Sequence, residues 1–170
     1  MKKIFLYPLA FLFCAFTCGK IETGVLTLTR IEVRNIDNSG AEPVVAADGA
    51  AIPAKAYMIG VQWHGDVNYN GDNYTYPDRY DNPKRWADDP YVLADRYTYN
   101  IYTVGPFNAD YPDGANVTPL FRTEKTYLPR NVDVGFVLFG NPDPGFHSFT
   151  VVYTGDGQTI EATTPAVELK

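Results

Sequence analysis

The sequence predicts an all-β protein: an antiparallel β-sandwich, broadly immunoglobulin-like, with about seven strands and one long inserted loop. Three observations carry this. Apolar residues alternate with period two in several stretches, while long runs with a 3.6-residue period are missing. Clusters of Gly, Pro, Asn and Asp join those stretches. The chain has 170 residues, 45% hydrophobic and 20% charged, which fits one globular domain. A small closed barrel fits the same pattern as the alternative.

The elements follow in chain order. Residues 25–37 read as the first strand, and its apolar parity shifts between Leu28 and Ile31, which predicts a β-bulge or a change of partner. Asn38-Ser39-Gly40 closes it. In 57–63, Tyr57, Ile59, Val61 and Trp63 share one face, so Trp63 is expected in the core. In 97–104, Tyr97, Tyr99 and Ile101 oppose Thr98 and Asn100. A weaker strand is expected within 119–128. In 132–139, Val132, Val134, Phe136 and Leu138 form one side, and Val137 and Phe139 make the other side apolar too, which predicts a central or doubly covered strand. Gly140-Asn141-Pro142-Asp143-Pro144-Gly145 leads to a strand over 146–153 with Phe149, Val151 and Tyr153 inward. Its neighbour His147 keeps the same parity and is expected in or beside the core. Gly155-Asp156-Gly157 predicts a hairpin into the last strand, near 158–169. Pro165 there cannot donate to a ladder, so it predicts an edge or a kink.

Residues 64–96 break the pattern and read as a long ordered loop, since six Tyr and Trp residues argue against disorder. Two ligand chemistries suit this insert. Sugar rings offer apolar C–H faces rimmed by hydroxyls, so flat aromatics beside carboxylates suit a glycan, and Trp86, Tyr74, Tyr76, Tyr80, Asp78 and Asp81 are the candidates. The same residue types suit a protein partner. The run Asp66-Val67-Asn68-Tyr69-Asn70-Gly71-Asp72 matches the opening of a calcium loop, where oxygens at alternate positions converge on an ion. Asp66, Asn68, Asn70 and Asp72 are its candidate ligands. Pro77 stands where the closing Glu belongs, so an Asx-rich turn at Asn70-Gly71 is the competing account. Calcium is thus the one cofactor the sequence allows.

Composition excludes other classes. There are 20 Asp and Glu against 14 Lys and Arg, a formal charge of -6 with no basic block, which argues against nucleic-acid binding. The only cysteines are Cys14 and Cys18, and the only histidines are His64 and His147. Two isolated histidines do not make a structural zinc site, although His64 and Asp66 could supply two ligands. A nucleophile elbow is missing, so the sequence reads as non-enzymatic, with an unrecognised hydrolase as a lesser alternative.

The N-terminus gives an address. Met1-Lys2-Lys3 is basic, Ile4 to Phe16 is almost wholly apolar, and this run is too short to span a bilayer. With Thr17-Cys18-Gly19 at its end, it resembles a bacterial lipoprotein signal, which implies lipidation of Cys18 and a mature domain over 19–170. That signal, a Cys-free β domain and the stretch Arg34-Asn35-Ile36-Asp37-Asn38-Ser39-Gly40 resemble small lipoproteins of Bacteroides-type bacteria, a family of unknown function. The resemblance implies a lipid-anchored protein of the cell envelope, in the outer membrane. It carries no active site. The expected role is a binding or accessory module for a glycan or an envelope partner, with a structural or adhesive surface subunit as the alternative.

Overall fold

The structure is a computed structural model that describes residues 25–69, 72–76 and 97–170. Two strands set its frame. β1 (Val25–Asp37) runs antiparallel to β4 (Tyr57–Tyr69) from Val25↔Asn68 to Asp37↔Tyr57. The other edge of β4 is shared end to end. β8 (Val134–Leu138) takes Met58–Val61, and β5 (Asp72–Tyr76) takes Gly65–Tyr69. β7 (Phe121–Glu124) pairs with β8, and β2 (Val44–Val45) pairs with Ile36 and Asp37. These six strands form the first sheet.

The second sheet is built on β9 (Gly145–Gly155). One edge of β9 pairs with β6 (Tyr97–Val104). Its other edge takes β10 (Gln158–Thr163) and then β11 (Val167–Leu169). β11 also pairs with β3 (Ala51–Ile52), and this contact is parallel. The chain is therefore an all-β sandwich whose sheets are antiparallel except at that short edge. Period-two alternation places Leu26, Leu28, Ile59, Val61 and Phe136 of one sheet against Ile101, Phe149, Val151 and Tyr153 of the other. His147 lies with them, buried, its Nε2 2.7 Å from the Asp143 carbonyl.

The bulge predicted in β1 falls between Leu28 and Arg30, leaving Thr29 as the extra residue. The bulge ends the ladder locally, yet the Leu28 backbone is satisfied. Its N–H donates to Tyr97 Oη at 3.2 Å, and its carbonyl accepts from Gln158 Nε2 at 2.8 Å. These bonds join the two sheets at one end. The Asp156-Gly157 turn lies there as well. Both residues have positive φ, 49° and 75°, as a two-residue type I′ hairpin requires.

Pro165 sits in the break between β10 and β11. The neighbouring Thr164 carries the ladder across it: its N–H donates to Phe149 O at 2.9 Å, and Phe149 N–H donates to Thr164 Oγ1 at 3.0 Å. The Pro165 carbonyl accepts from Asn35 Nδ2 at 2.8 Å, and Asn35 Oδ1 accepts from the buried Tyr57 hydroxyl at 2.8 Å. Burial pushes the Tyr57 phenol far above its ordinary pKa, so it stays a neutral donor.

Three expectations need correction. Val132 does not join the inner side with Val134. It precedes the strand, just after the positive-φ turn residue Asn131, and packs on the outer face of the first sheet with Ile36 and Met58. Leu128 and Val137 complete that second cluster. Trp63 is half-buried against the core, because it lies at the margin where β8 leaves β4. The opening of the 64–96 insert is not a loop, since residues 64–69 continue β4 and 72–76 return as β5. Their ladder with Tyr69↔Asp72 brackets Asn70-Gly71, a strong hairpin dipeptide.

Candidate functional site

The outer face of the first sheet carries a charged network. After the bulge, Arg30, Glu32 and Arg34 alternate on one face of β1, and register sets Arg30 beside His64 and Glu32 beside Gln62. Glu32 accepts from Arg30 and, at 3.1 Å, from Arg34. Arg30 Nη2 is 3.1 Å from His64 Nδ1, and His64 Nε2 is 3.2 Å from Glu32 Oε1. A guanidinium can only donate, so Nδ1 must accept and Nε2 holds the proton of a neutral imidazole. Arg30 holds the Glu32 carboxyl below its usual pKa. Burial, and then Arg30, holds His64 below its own. Glu32 takes up both arginines and the network clamps β1 to β4, while the buried His64 Nε2 finds no hydrogen-bond acceptor in good geometry among the described residues. Single-sequence reasoning missed it, although Arg-x-Glu-x-Arg on one strand parity is its visible signal.

The outer face of the second sheet has the opposite chemistry. Register aligns its outward side chains in rows across three strands. One row is Thr98, Thr154 and Thr159. The next is Asn100, Val152 and Glu161, and the third is Tyr102, Thr150 and Thr163. Val104 and Ser148 follow, then Phe146. Glu161 is the only charge in the first three rows; beyond them Glu168 pairs with Phe146 and lies 3.6 Å from Lys170. Thr150 Oγ1 and Thr163 Oγ1 are 2.8 Å apart, and Asn116 Nδ2 donates to Asn100 Oδ1 at 3.1 Å. Thr98, Thr154, Thr159 and Thr163 are exposed, and Asn100 and Tyr102 are half-buried. The sequence signal for this face was threonine recurring at the outward positions of β6, β9 and β10.

Of the residues predicted from sequence, Asp66 is placed as an exposed side chain on β4, with its backbone paired to Thr75. Asn68, Asp72, Tyr74 and Tyr76 lie on the β4–β5 hairpin, where the backbone alone is described. The extended backbone over Asp66–Tyr69 does not curl as a calcium loop does. Among the described residues no group of three or more His, Cys, Asp or Glu side chains is placed to hold a metal. Cys18, Asn70, Asp78, Tyr80, Asp81 and Trp86 lie outside the described residues. Among the described residues, no helix is long and apolar enough to cross a membrane. A cavity of about 280 Å³ opens at the end opposite the Asp156-Gly157 turn, lined by Lys55 and by Val137 to Asn141. Phe139 at its rim stands under the Arg122 guanidinium, 4.3 Å from its ring centre.

Comparison with known proteins gives no matching family model, no matching curated protein and no matching solved structure.

Proposed function

We propose that this protein is a non-enzymatic binding or accessory module of the bacterial cell envelope, anchored to the outer membrane by lipid on Cys18, with a glycan or an envelope partner as its ligand. The observation that supports it is the end of the sandwich at which β1 starts. Val25 pairs with Asn68 at one end of the sandwich, the end that also holds the start of β6 and the Asp156-Gly157 turn. Residues 19–24 between Cys18 and Val25 reach roughly 20 Å at full extension. A lipid on Cys18 would therefore hold that end of the sandwich within that reach of the bilayer.

A structural or adhesive subunit is the second reading. It is favoured by large apolar side chains exposed at the opposite end, Phe139 at 58% and Phe146 at 66%, and by exposed Val44 and Val45 on the β2 edge of the first sheet.

Fractionation of cells expressing the full chain tests the anchor. The protein should sediment with membranes, and Cys18→Ala should release it or leave the leader uncleaved. Two or more acyl chains hold far more firmly than one, at about 0.8 kcal/mol per buried CH₂. Recovery of the unsubstituted protein in the soluble fraction would refute the anchor.

A further inference from the structure

We propose that the outer face of the second sheet is the ligand surface, and that its ligand is an extended, uncharged glycan. This rests on the binding-module reading and gives it a surface and a ligand class. The sandwich has two outer faces, and they are not equivalent. On the first sheet, Leu128 and Val132 cover one part, and the Arg30–Glu32–His64 network occupies another. The second sheet's face is uncovered by any described segment.

Its composition selects the ligand. Protein surfaces ordinarily carry about 25–35% charged residues. In a chain with 34 charged residues among 170 (14 basic and 20 acidic), three aligned rows hold Glu161 alone. A face without cations does not fit phosphate backbones or anionic lipid. Protein interfaces concentrate aromatic and apolar side chains at their centre, whereas here the middle strand presents Thr154, Val152 and Thr150, with Asn100 and Glu161 beside Val152 and Tyr102 on the flanking β6. That mixture is complementary to sugars, whose hydroxyls need donors and acceptors and whose C–H faces need an aromatic such as Tyr102.

Geometry adds a second argument. Rows repeat at roughly 7 Å along the strands and strands at about 4.8 Å across them, which makes a flat, regular lattice of polar groups. Threonine is stiff at χ1. The Thr150–Thr163 and Asn100–Asn116 bonds fix four of the side chains further. Little side-chain entropy is then lost on binding, in contrast to a surface of Lys and Glu. An extended chain laid along the strands meets the same chemistry in each row.

The test uses full-length protein extracted from membranes in a detergent without a sugar headgroup. It is run in native gels containing a β-glucan, a xylan, an α-mannan or the acidic polygalacturonate, and in a gel with none. Retardation is expected in at least one neutral gel and not with polygalacturonate. Thr154→Lys and Thr163→Lys, at exposed positions, should weaken it at least about tenfold with unchanged melting temperature, and Tyr102→Ala should do the same. Full retardation in both lysine variants, or stronger retention by polygalacturonate, overturns the proposal. Loss of retardation by Trp86→Ala, with the lysine variants unaffected, also overturns it but leaves a glycan-binding module working through the insert. Absence of retardation in every gel overturns the glycan face. If cross-linking in cells then captures an envelope partner the module survives, and if it captures none both readings fall.

Discussion

The backbone N–H of Trp63 donates to Asp133 Oδ2 at 2.8 Å, at the point on β4 where β8 has ended and β5 has not begun. The Asp133 backbone has just closed the β8 side of the ladder, its own N–H donating to Val61 O at 2.8 Å. One residue therefore ends one strand pairing and bridges to the next with its side chain. The indole of Trp63 packs edge-on to Tyr153 of the second sheet, ring centres 6.5 Å apart, so the bridge also fixes a contact between the sheets.

Asp133→Ala should leave the Trp63 N–H without its acceptor and cost about 1–3 kcal/mol. Asp133→Asn keeps an oxygen at the same place and should cost less. Urea midpoints of the two variants check this. Equal losses would show that charge, rather than the ladder bridge, is what Asp133 supplies.

Glycine positions should separate by what surrounds them. A Cβ on Gly65 would collide with the Thr27 carbonyl, backbone on the far side of the bulge. A Cβ on Gly135 would meet the Met58 sulfur and the Leu128 side chain, which can move. Gly135→Ala should cost about 1–3 kcal/mol, and Gly65→Ala more than that, since β1 and β4 must part. Thermal melts that reverse this order would show the bulge to be the softer of the two sites.

Stability should fall as the medium is acidified below the ordinary histidine range. The folded protein holds His64 below the ordinary imidazole value of about 6.5, because burial and Arg30 disfavour the charged ring more than Glu32 and Asp133 favour it. The unfolded chain then binds more protons, so stability rises with pH in that window and is lost as pH falls from about 6.5 through the folded value. Glu32, also lowered, adds its own loss in the same direction only below the ordinary glutamate value of about 4.5. His64→Gln should flatten the first part of the curve and leave the second. An unchanged curve between pH 7 and pH 5 would exclude His64 as its source.

Some of this was legible one residue at a time. The parity change between Leu28 and Ile31 marked the bulge because alternation is a local property of the strand. Asp156-Gly157 marked its turn because positive φ selects few residue types. Pro165 marked the break in the last strand because it has no N–H. The β4–β5 hairpin was hidden because His64, Gly65, Asp66 and Asn68 make the stretch read as polar, which mimics a loop. Val44–Val45 and Ala51–Ile52 were hidden because two-residue strands have no period to detect.

By itself the sequence determined the all-β class, the apolar face of most strands and several of the turns, since each follows from side-chain chemistry within a few positions. Only the tertiary structure decided the register. Register set Arg30 against His64 and Thr98 against Thr154, and so made one outer face a charge network and the other a polar lattice whose first three rows hold one charge, Glu161. Those pairings join positions 34 and 56 residues apart in the chain. No local preference encodes such a separation. It is fixed by the whole ladder of backbone bonds and by the core that both sheets must bury.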